Sequence, residues 1–380
     1  MLSPRASVLP ICAISLILLL GACGGSGGGS FQQNPPPPQP EEFLYGSDLA
    51  DVVVTEKLDS STGALSTGTS VPGGNGAMIA ANPAGTFLYT SDASSNSVDG
   101  FAIGSSGVLT AISGSPFSAP GSGGVSGLAI DPTGKFLYGS VESGSGAVAG
   151  FSIGADGSLN AIRGSPFTAG TSPAQIVTHP GGKFLYVGDA AGGILAFSIS
   201  SSGGLTLTSD FPFFSGDPPS LAITPDGKFL YIADFDGIVN GYSIDSTTGS
   251  LTELTNSPFS NATGTGDVST QILVEPTGKF LYTYNTIGNP NTISAFSIDS
   301  GTGNLTAVAG SPFAASQSVY FAASLATDPD GKFLYASCSS GSCGVLGFNI
   351  DANTGALSPI TGSPFNSFFT IGRMAVVSVQ

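Results

Sequence analysis

The sequence contains no tryptophan, a single histidine and very few basic residues. Lys and Arg together number 9 of 380 residues, against 25 Asp and Glu, which gives a formal net charge of -16 at pH 7. Nucleic-acid binding needs clustered Lys and Arg, so we expect no nucleic-acid partner. The few Cys and His residues do not cluster as the ligands of a zinc site would, so we expect no metal of that kind.

Long helix-forming stretches are also absent from the folded part of the chain. Glycine and proline, with 56 and 26 occurrences, are spread over its length, and both are unfavourable inside helices. Charged residues make up only 9% of the sequence, whereas Ser, Thr and Gly are abundant, which suits an extracytoplasmic protein. The composition therefore favours strands connected by short turns.

The longest apolar run lies near the N-terminus, from Val8 to Leu20, after the basic residue Arg5. It is too short to span a bilayer and is typical of an export signal. Leu20-Gly21-Ala22-Cys23 resembles a bacterial lipobox, which implies cleavage before Cys23 and acylation of its thiol. An ordinary secretory signal with an incidental cysteine is the open alternative. We predict a lipoprotein signal peptide in residues 1–22 and a lipid-anchored protein of the bacterial cell envelope, at the outer membrane and periplasm or at the cell surface.

A low-complexity segment separates this signal from the rest of the chain. Residues 23–42 combine a Gly/Ser run with the prolines from Pro35 to Pro38, and such a segment behaves as a tether without a packed core. Residues 43–380 remain for the folded domain.

The tripeptide Phe-Leu-Tyr recurs along that domain and is the strongest signal in the sequence. Its copies are spaced 44 to 53 residues apart, a period typical of four-stranded propeller blades. In a strand, Phe and Tyr share one face and Leu lies on the other. The seven copies begin at Phe43, Phe87, Phe136, Phe184, Phe229, Phe280 and Phe333.

Each copy belongs to a longer unit that is typical of an antiparallel meander of four strands, A to D. In residues 220–259, strand A is followed by the turn Thr224-Pro225-Asp226-Gly227, by strand B with Phe-Leu-Tyr, and by strands C and D. The unit closes with Ser-Pro-Phe, whose phenylalanine we expect in the core, where the chain crosses to the next unit. Because one meander cannot bury both its apolar faces, neighbouring units must cover them, as in a propeller.

The two chain ends determine the number of blades. The first unit lacks a strand A, because only the tether precedes Phe43, and Gly372 to Val379 resembles a strand A that no strand B follows. We therefore predict an all-β, seven-bladed β-propeller of four-stranded antiparallel blades, closed by the C-terminal strand completing the first blade. Closure removes the exposed sheet edges. We further expect a monomer.

Two stretches of the repeat, Asp131 to Tyr138 and Gly150 to Ile153, resemble the lactonase-type seven-bladed propeller family. That family includes 6-phosphogluconolactonase-like and muconate-cyclase-like proteins and shades into the Tyr-Val-Thr-Asn repeat propellers of cell surfaces. The resemblance covers nearly all of residues 43–380 and implies the fold together with lactone hydrolysis. The absence of tryptophan disfavours the tryptophan–aspartate propellers.

The catalytic residues expected of a lactonase are hard to find. The sequence has no Gly-x-Ser-x-Gly elbow, and His179 occupies a turn position that Asp131 fills in another unit. A phosphosugar lactonase should also offer Arg or Lys to the phosphate. The sequence thus leaves open whether the protein is an enzyme. It favours a ligand-binding or surface-interaction module for a small molecule or an envelope or extracellular protein, with a lactonase-like hydrolase as the alternative.

A first candidate site lies where strand B ends and the B–C loops begin. The residues there are acidic in five blades and could attract Ca²⁺ or a cationic ligand, although bonding to the loop backbone is the alternative. They are Asp48, Asp92, Glu142, Asp189 and Asp234. No other cofactor is expected.

A second candidate site lies where strand A begins, on the same face, at the mouth of the central channel. The residue before the first large apolar side chain of strand A is Ala77, Gly127, Gln175, Ser220, Gln271, Ser324 or Arg373. Three of these are long and polar, and we predict a ligand-binding site formed by Arg373, Gln175 and Gln271. A guanidinium keeps its charge and suits a carboxylate. An ion pair of Arg373 with Asp48 or Asp92 is the alternative.

The folded part contains only two cysteines, Cys338 and Cys343, which flank the tip of the last B–C hairpin. Outside the cytoplasm a disulfide between them is expected, with two free thiols as the alternative.

Overall fold

The computed structural model describes residues 40–379 except 49–50, 75–77, 143–145, 192, 213–219, 234–236, 261–267, 287–290, 316–323, 338–343 and 366–370. The regular elements in these ranges are all strands. None of the described segments is a helix long and apolar enough to cross a membrane. The predicted signal peptide, Cys23 and the tether up to residue 39 lie outside the described residues, as do Asp234, Cys338 and Cys343. The last two residues of the predicted tether, Glu41 and Glu42, belong to the first strand of the folded domain.

The strands of the described chain form seven antiparallel sheets, each with its innermost strand against the innermost strands of its neighbours. The innermost strands are β4 (Ile79–Ala81), β9 (Gly124–Ile130), β14 (Pro173–Thr178), β18 (Ser220–Ile223), β23 (Val268–Val274), β28 (Leu325–Thr327) and β32 (Ile371–Val379). The second strands are β1 (Glu41–Asp48), β5 (Phe87–Asp92), β10 (Phe136–Glu142), β15 (Phe184–Asp189), β19 (Phe229–Ala233), β24 (Phe280–Thr286) and β29 (Phe333–Ser337).

The third strands are β2 (Val52–Leu58), β6 (Ser97–Ile103), β11 (Ala147–Ile153), β16 (Gly193–Ile199), β20 (Ile238–Ile244), β25 (Asn291–Ile298) and β30 (Val345–Ile350). The outer strands are β3 (Leu65–Pro72), β7 (Leu109–Ala111), β12 (Leu159–Ala161), β17 (Leu205–Pro212), β21 (Leu251–Glu253), β26 (Leu305–Ala307) and β31 (Leu357–Pro359). Four blades add a short fifth strand: β8 (Phe117–Ser118), β13 (Phe167–Thr168), β22 (Phe259–Ser260) and β27 (Phe313–Ala315).

The chain ends close the propeller. In the first blade, β32 pairs antiparallel with β1 over a register that runs from Glu41 opposite Val379 to Asp48 opposite Ile371. The C-terminal strand is therefore the innermost strand of the blade that the N-terminal strand begins. The predicted seven-bladed, all-β architecture and its closure are confirmed, with blades of four or five strands.

The Phe-Leu-Tyr motif joins each blade to the next. Every tyrosine of the motif is buried, and its hydroxyl donates a hydrogen bond of 2.7–3.0 Å to the carbonyl of a glycine in the C–D turn of the following blade. The pairs are Tyr45–Gly107, Tyr89–Gly157, Tyr138–Gly203, Tyr186–Gly249, Tyr231–Gly303, Tyr282–Gly355 and Tyr335–Gly63. The last pair links the seventh blade to the first, so the bonds form a complete circle.

The phenylalanine of the motif fixes the identity of the same turn residue. A Cβ atom on Gly203 would lie 2.5 Å from the ring of Phe136, and the glycine has a φ of 82°. Only glycine combines this conformation with such a close approach. The period of the sequence therefore comes from contacts between blades as well as from strand formation within each blade.

The Ser-Pro-Phe segments brace their own blade. Ser165, for example, accepts a 2.8 Å hydrogen bond from the amide of Gly150 on the third strand, and Phe167 pairs with Val148 on that strand. The ring of Phe167 packs in the core shared with the next blade, as expected.

Candidate functional site

The start of each innermost strand places one residue at the same level around the central channel. The pairing between the inner and second strands defines this residue. In the third blade, for example, Gly139 follows the tyrosine of Phe-Leu-Tyr and pairs with Leu128, and the residue before Leu128 is Gly127. The same rule gives one residue in every blade. We call the seven residues the inner ring. It consists of Met78, Gly127, Gln175, Ser220, Gln271, Ser324 and Arg373.

The register corrects one member of the predicted ring. Ile79 pairs with Thr90 as Leu128 pairs with Gly139, so Met78 and not Ala77 is equivalent to Gly127. Counting from the first large apolar residue fails here because Met78 is itself large and apolar. Ala77 lies outside the described residues.

Four members of the inner ring line one cavity of about 410 Å³: Met78, Gln175, Ser220 and Gln271. Below them the wall continues along the innermost strands of the third to sixth blades, with residues such as Ile130, Val177 and Ile223. A volume of this size is typical of small-molecule pockets, which span roughly 300–1,000 Å³. The structure thus brings Gln175 and Gln271 together, whereas Arg373 is not among the residues that line the cavity.

The two glutamines offer hydrogen-bonding groups to the cavity. Gln271 is only 8% exposed, and both glutamines line the cavity. A carboxamide carries two N–H donors and one acceptor oxygen. They are therefore well placed to bind a polar ligand in the cavity.

Arg373 is a partly buried cation with no acidic partner among the described residues. The ion pairs of the described residues are Lys57–Glu41, Lys228–Asp226 and Lys332–Asp330, so the alternative of a pair with Asp48 or Asp92 does not hold. Its Nη1 atom is buried with no hydrogen-bond partner. Burial lowers the pKa of the guanidinium to about 10, so the group keeps its charge at neutral pH.

Two acidic residues at the start of the B–C loops, Asp92 and Asp189, accept hydrogen bonds from backbone amides of nearby loops. Asp92 accepts hydrogen bonds from the amides of Ser94 and Ser95, and Asp189 accepts from the amides of Thr171, Ser172 and Ala191. These contacts match the structural alternative that the sequence left open. Asp48 is buried and Glu142 is exposed. No group of three potential metal ligands occurs among the described residues.

His179 is a turn residue, as predicted. Its Nδ1 accepts a hydrogen bond from the amide of Gly181, which leaves Nε2 as the donor to the Gly227 carbonyl at 2.9 Å. Both ring nitrogens are thus engaged in holding two neighbouring A–B turns. The side chain does not reach the cavity and cannot act there as a base.

Comparison with known proteins places the chain in a family. A family model described as lactonase, 7-bladed beta-propeller, matches residues 118–220, 158–263 and 221–366. Among curated protein sequences no match is found.

Solved structures agree on the fold. A proposed 6-phosphogluconolactonase from Bacteroides fragilis superposes with a TM-score of 0.76 at 21% identity, over 91% of this chain and 100% of that one. The periplasmic gluconolactonase of Pseudomonas aeruginosa gives a TM-score of 0.72 at 16% identity, over 90% of this chain and 100% of that one. At such identities the likeness establishes the fold alone. Because the family model covers more than half of the sequence, the chain belongs to the lactonase family of seven-bladed β-propellers.

Proposed function

We propose that this protein binds a lactone at the inner ring and opens it to the corresponding hydroxy acid. The observation that carries the proposal is the register that brings Arg373, Gln175 and Gln271 to one level of the inner ring. Gln175 and Gln271 line the cavity, and Nη1 of Arg373 has no hydrogen-bond partner. A lactone carbonyl accepts hydrogen bonds from such donors, and the carboxylate of the product pairs with a guanidinium. Family membership supports this reading over that of a surface-interaction module.

The chemistry available to these residues is binding and polarisation. In lactone hydrolysis, water adds to the carbonyl carbon, the ring C–O bond breaks, the alkoxide takes up a proton, and the acid releases one to solvent. Donors aimed at the carbonyl oxygen stabilise the negative charge that develops there. Arg373 and Gln271 supply such donors, and Gln175 orients the rest of the ring.

Among the described residues, those that line the cavity include no Asp, Glu, His or Lys. The proposal therefore relies on orientation and oxyanion stabilisation by the described donors, with water as the nucleophile. We expect a rate that varies smoothly across the neutral pH range, without the inflection that a titrating carboxylate or imidazole would cause.

The charges favour an uncharged substrate over a phosphorylated one. No Lys or Arg lines the cavity, Arg373 is the only cation of the inner ring, and the chain carries a formal net charge of -16. A phosphate monoester needs several charge-assisted donors. The open acid already occupies Arg373, so a second anionic group on the same ligand is left without a partner.

The N-terminal sequence supports a location in the cell envelope. The apolar run that ends at Cys23 and the Gly/Ser/Pro-rich tether after it favour a lipid-anchored, extracytoplasmic protein. Replacing Cys23 by Ser should release the protein from membranes in a fractionation experiment. Continued tight membrane retention of the variant would contradict the anchor.

The catalytic proposal is tested with a panel of lactones and two arginine variants. Acid release is followed for unphosphorylated lactones and for a phosphorylated sugar lactone, with the wild type, Arg373→Met and Arg163→Met. Arg163 is exposed on the outer side of its blade and serves as the matched control. We expect opening of an unphosphorylated lactone, a loss of about 10²-fold in kcat/KM for Arg373→Met, and none for Arg163→Met.

Two results would contradict the proposal. The first is that no lactone is opened faster by the wild type than by buffer. The second is that Arg373→Met retains full activity.

A further inference from the structure

Two serines of the seventh blade hold the backbone on both sides of Arg373. The amide of Met374 donates a 3.2 Å hydrogen bond to Ser324 Oγ, and Ser337 Oγ donates to the carbonyl of Gly372 at 3.5 Å. The serines are themselves connected, because the amide of Ser324 donates to Ser337 Oγ at 2.9 Å. Both serines are buried, at 4% and 0% exposure. The two peptide groups that flank Arg373 are thus fixed from the neighbouring blade.

The number of serine contacts to the neighbouring backbone differs among the long residues of the inner ring. Beside Gln271, the amide of Ile272 donates a 3.1 Å hydrogen bond to Ser220 Oγ of the preceding blade. Beside Gln175, the carbonyl of Ala174 accepts a hydrogen bond from Ser140 of the preceding blade. Each long polar ring residue therefore has a serine of the previous blade on an adjacent peptide. In these contacts, only Arg373 has serines on both sides.

Side-chain size around the ring follows the same pattern. From Met78 onward, long and short residues alternate, and the odd number of blades leaves a single adjacent long pair, Arg373 and Met78. The short residues lie against the backbone of the next blade. A Cβ atom on Gly127 would be 2.3 Å from the Ala174 carbonyl oxygen, and the hydroxyls of Ser220 and Ser324 reach the next strand. The short ring residue of one blade thus determines where the long residue of the next blade lies.

We infer that Ser324 and Ser337 are positioning residues that orient Arg373 for the ligand, an inference that rests on the proposed lactone function for its kinetic consequence. A guanidinium with a carboxylate partner is held by that partner, whereas Arg373 has none among the described residues. Its direction is instead fixed through the peptide groups on either side. A preorganised cation stabilises developing charge without a reorganisation cost during the reaction.

The positioning role is measured first without any ligand. The sequence has three arginines, Arg5, Arg163 and Arg373, so selective ¹⁵N-arginine labelling of the full chain gives few Nε–H signals, and Arg373→Lys identifies one of them. We expect Ser324→Ala and Ser337→Ala, singly and together, to shift or broaden the Arg373 signal. The Arg163 signal should stay unchanged. Ser220→Ala is the matched control, because it removes the same kind of bond beside Gln271 and should leave the Arg373 signal in place.

The kinetic measurement then asks whether that orientation matters for the reaction. With the best lactone of the panel, we expect each single serine variant to lower kcat/KM by about tenfold, as for the loss of one hydrogen bond. Ser324→Thr keeps a hydroxyl and should restore most of the rate. Thermal unfolding of every variant is recorded alongside, so that loss of fold is separated from loss of orientation. If the double variant does not fold, the Arg373 signal and kcat/KM are measured on the two single variants alone.

The outcomes separate this inference from the proposed function. If the wild type opens and binds no lactone, the proposed function fails, and the Arg373 signal still decides whether the serines position the side chain. If Arg373→Met loses activity but both serine variants keep the wild-type rate and the wild-type Arg373 signal, the positioning role is wrong.

Discussion

The junction between the seventh and first blades resembles the other six junctions in its contacts and differs from them in its chemistry. All seven share the tyrosine bond to a C–D turn glycine of the next blade. Only the closing junction leads into a blade that both chain ends complete, since β32 pairs with β1 inside the first blade. At this junction, two buried acids, Glu56 and Glu42, occupy repeat positions that hold other residue types in the other blades.

Glu56 is the clearest of these replacements. It pairs with Leu44 of the first Phe-Leu-Tyr, as Phe151 pairs with Leu137 in the third blade. In the remaining blades the same position is aromatic: Phe101, Phe197, Tyr242, Phe296 and Phe348. Glu56 is 3% exposed, and its Oε2 atom has no hydrogen-bond partner. An unpaired acid thus occupies a position that the repeat fills with a ring.

Glu42 adds a second acid on the same face of β1. It lies two residues before Leu44, is 7% exposed and has an unpartnered Oε2. Burial, together with the nearby Asp328 and Asp330, raises the pKa of Glu42 above its ordinary value. The closing junction thus combines two buried acids, Glu56 and Glu42, whose pKa values are raised, so that it binds protons as it forms.

Deleting residues 371–380 should have the largest effect on this junction. The truncation removes β32, exposes the edge of β1 and takes away one wall of the first blade's core, so we expect aggregation or loss of cooperative unfolding. Size-exclusion chromatography and thermal unfolding check the result, with removal of Gln380 alone as the control. A soluble truncated protein that unfolds cooperatively would contradict closure by the C-terminal strand.

Replacing Glu56 should change stability in a pH-dependent way. Burial raises the pKa of Glu56 from 4.5 to about 7, so the folded protein retains a proton that the unfolded chain has lost. Stability from this group is fully present below 4.5 and is lost as the pH rises toward about 7. At one pKa unit per ~1.4 kcal/mol, the loss is about 3 kcal/mol.

We therefore expect Glu56→Gln and Glu56→Phe to stabilise the protein above neutral pH by up to about 3 kcal/mol and to flatten its pH dependence. Urea unfolding at several pH values measures this. Glu41→Gln is the matched control, because Glu41 is an exposed acid in the same blade whose surface ion pair contributes little to stability. An unchanged pH profile in Glu56→Phe would remove the protonation argument.

The sequence was sufficient for the fold because its signals are local. Phe-Leu-Tyr alternates by face within one strand, and the turn before it needs only Pro, Gly and a capping side chain. Glu56 was not identifiable in this way, since Thr55-Glu56-Lys57 looks like a polar strand segment until its register with Leu44 is known. Its assignment depends on pairing between strands, which the single sequence does not display.

The candidate site was predictable in part for the same reason. Gln175 and Gln271 were found by counting from the apolar start of strand A, and the structure brings both to one cavity. The same count missed Met78, because a large apolar residue occupies the ring position itself. The serines beside Arg373 could not be predicted, since Ser324 and Ser337 lie 50 and 35 residues from their backbone partners. The roles of Arg373, Gln175 and Gln271 in binding stay predictions until variants are measured.

The smallest expected effect comes from removing one tyrosine hydroxyl. It gives the most direct comparison between junctions, because the two bonds compared have the same length. Tyr335 donates to Gly63 of the first blade, which pairs strands from both ends of the chain, and Tyr138 donates to Gly203 of the fourth blade, whose strands are consecutive in the chain. Both bonds measure 2.8 Å. Changing either tyrosine to Phe leaves a buried carbonyl unpaired, which costs about 1–2 kcal/mol. If the propeller unfolds as one unit, the two variants should lose the same global stability.

The local consequence should differ between the two variants. Hydrogen exchange in β1 and β29 of Tyr335→Phe should accelerate more than exchange at the third junction of Tyr138→Phe. The chain passes from the seventh blade only into β32, so β1 to β3, which flank the acceptor Gly63, are held to β32 by strand pairing alone. A Tyr335→Phe variant with unaltered stability, beside a destabilised Tyr138→Phe, would mean that the closing junction is already open in solution.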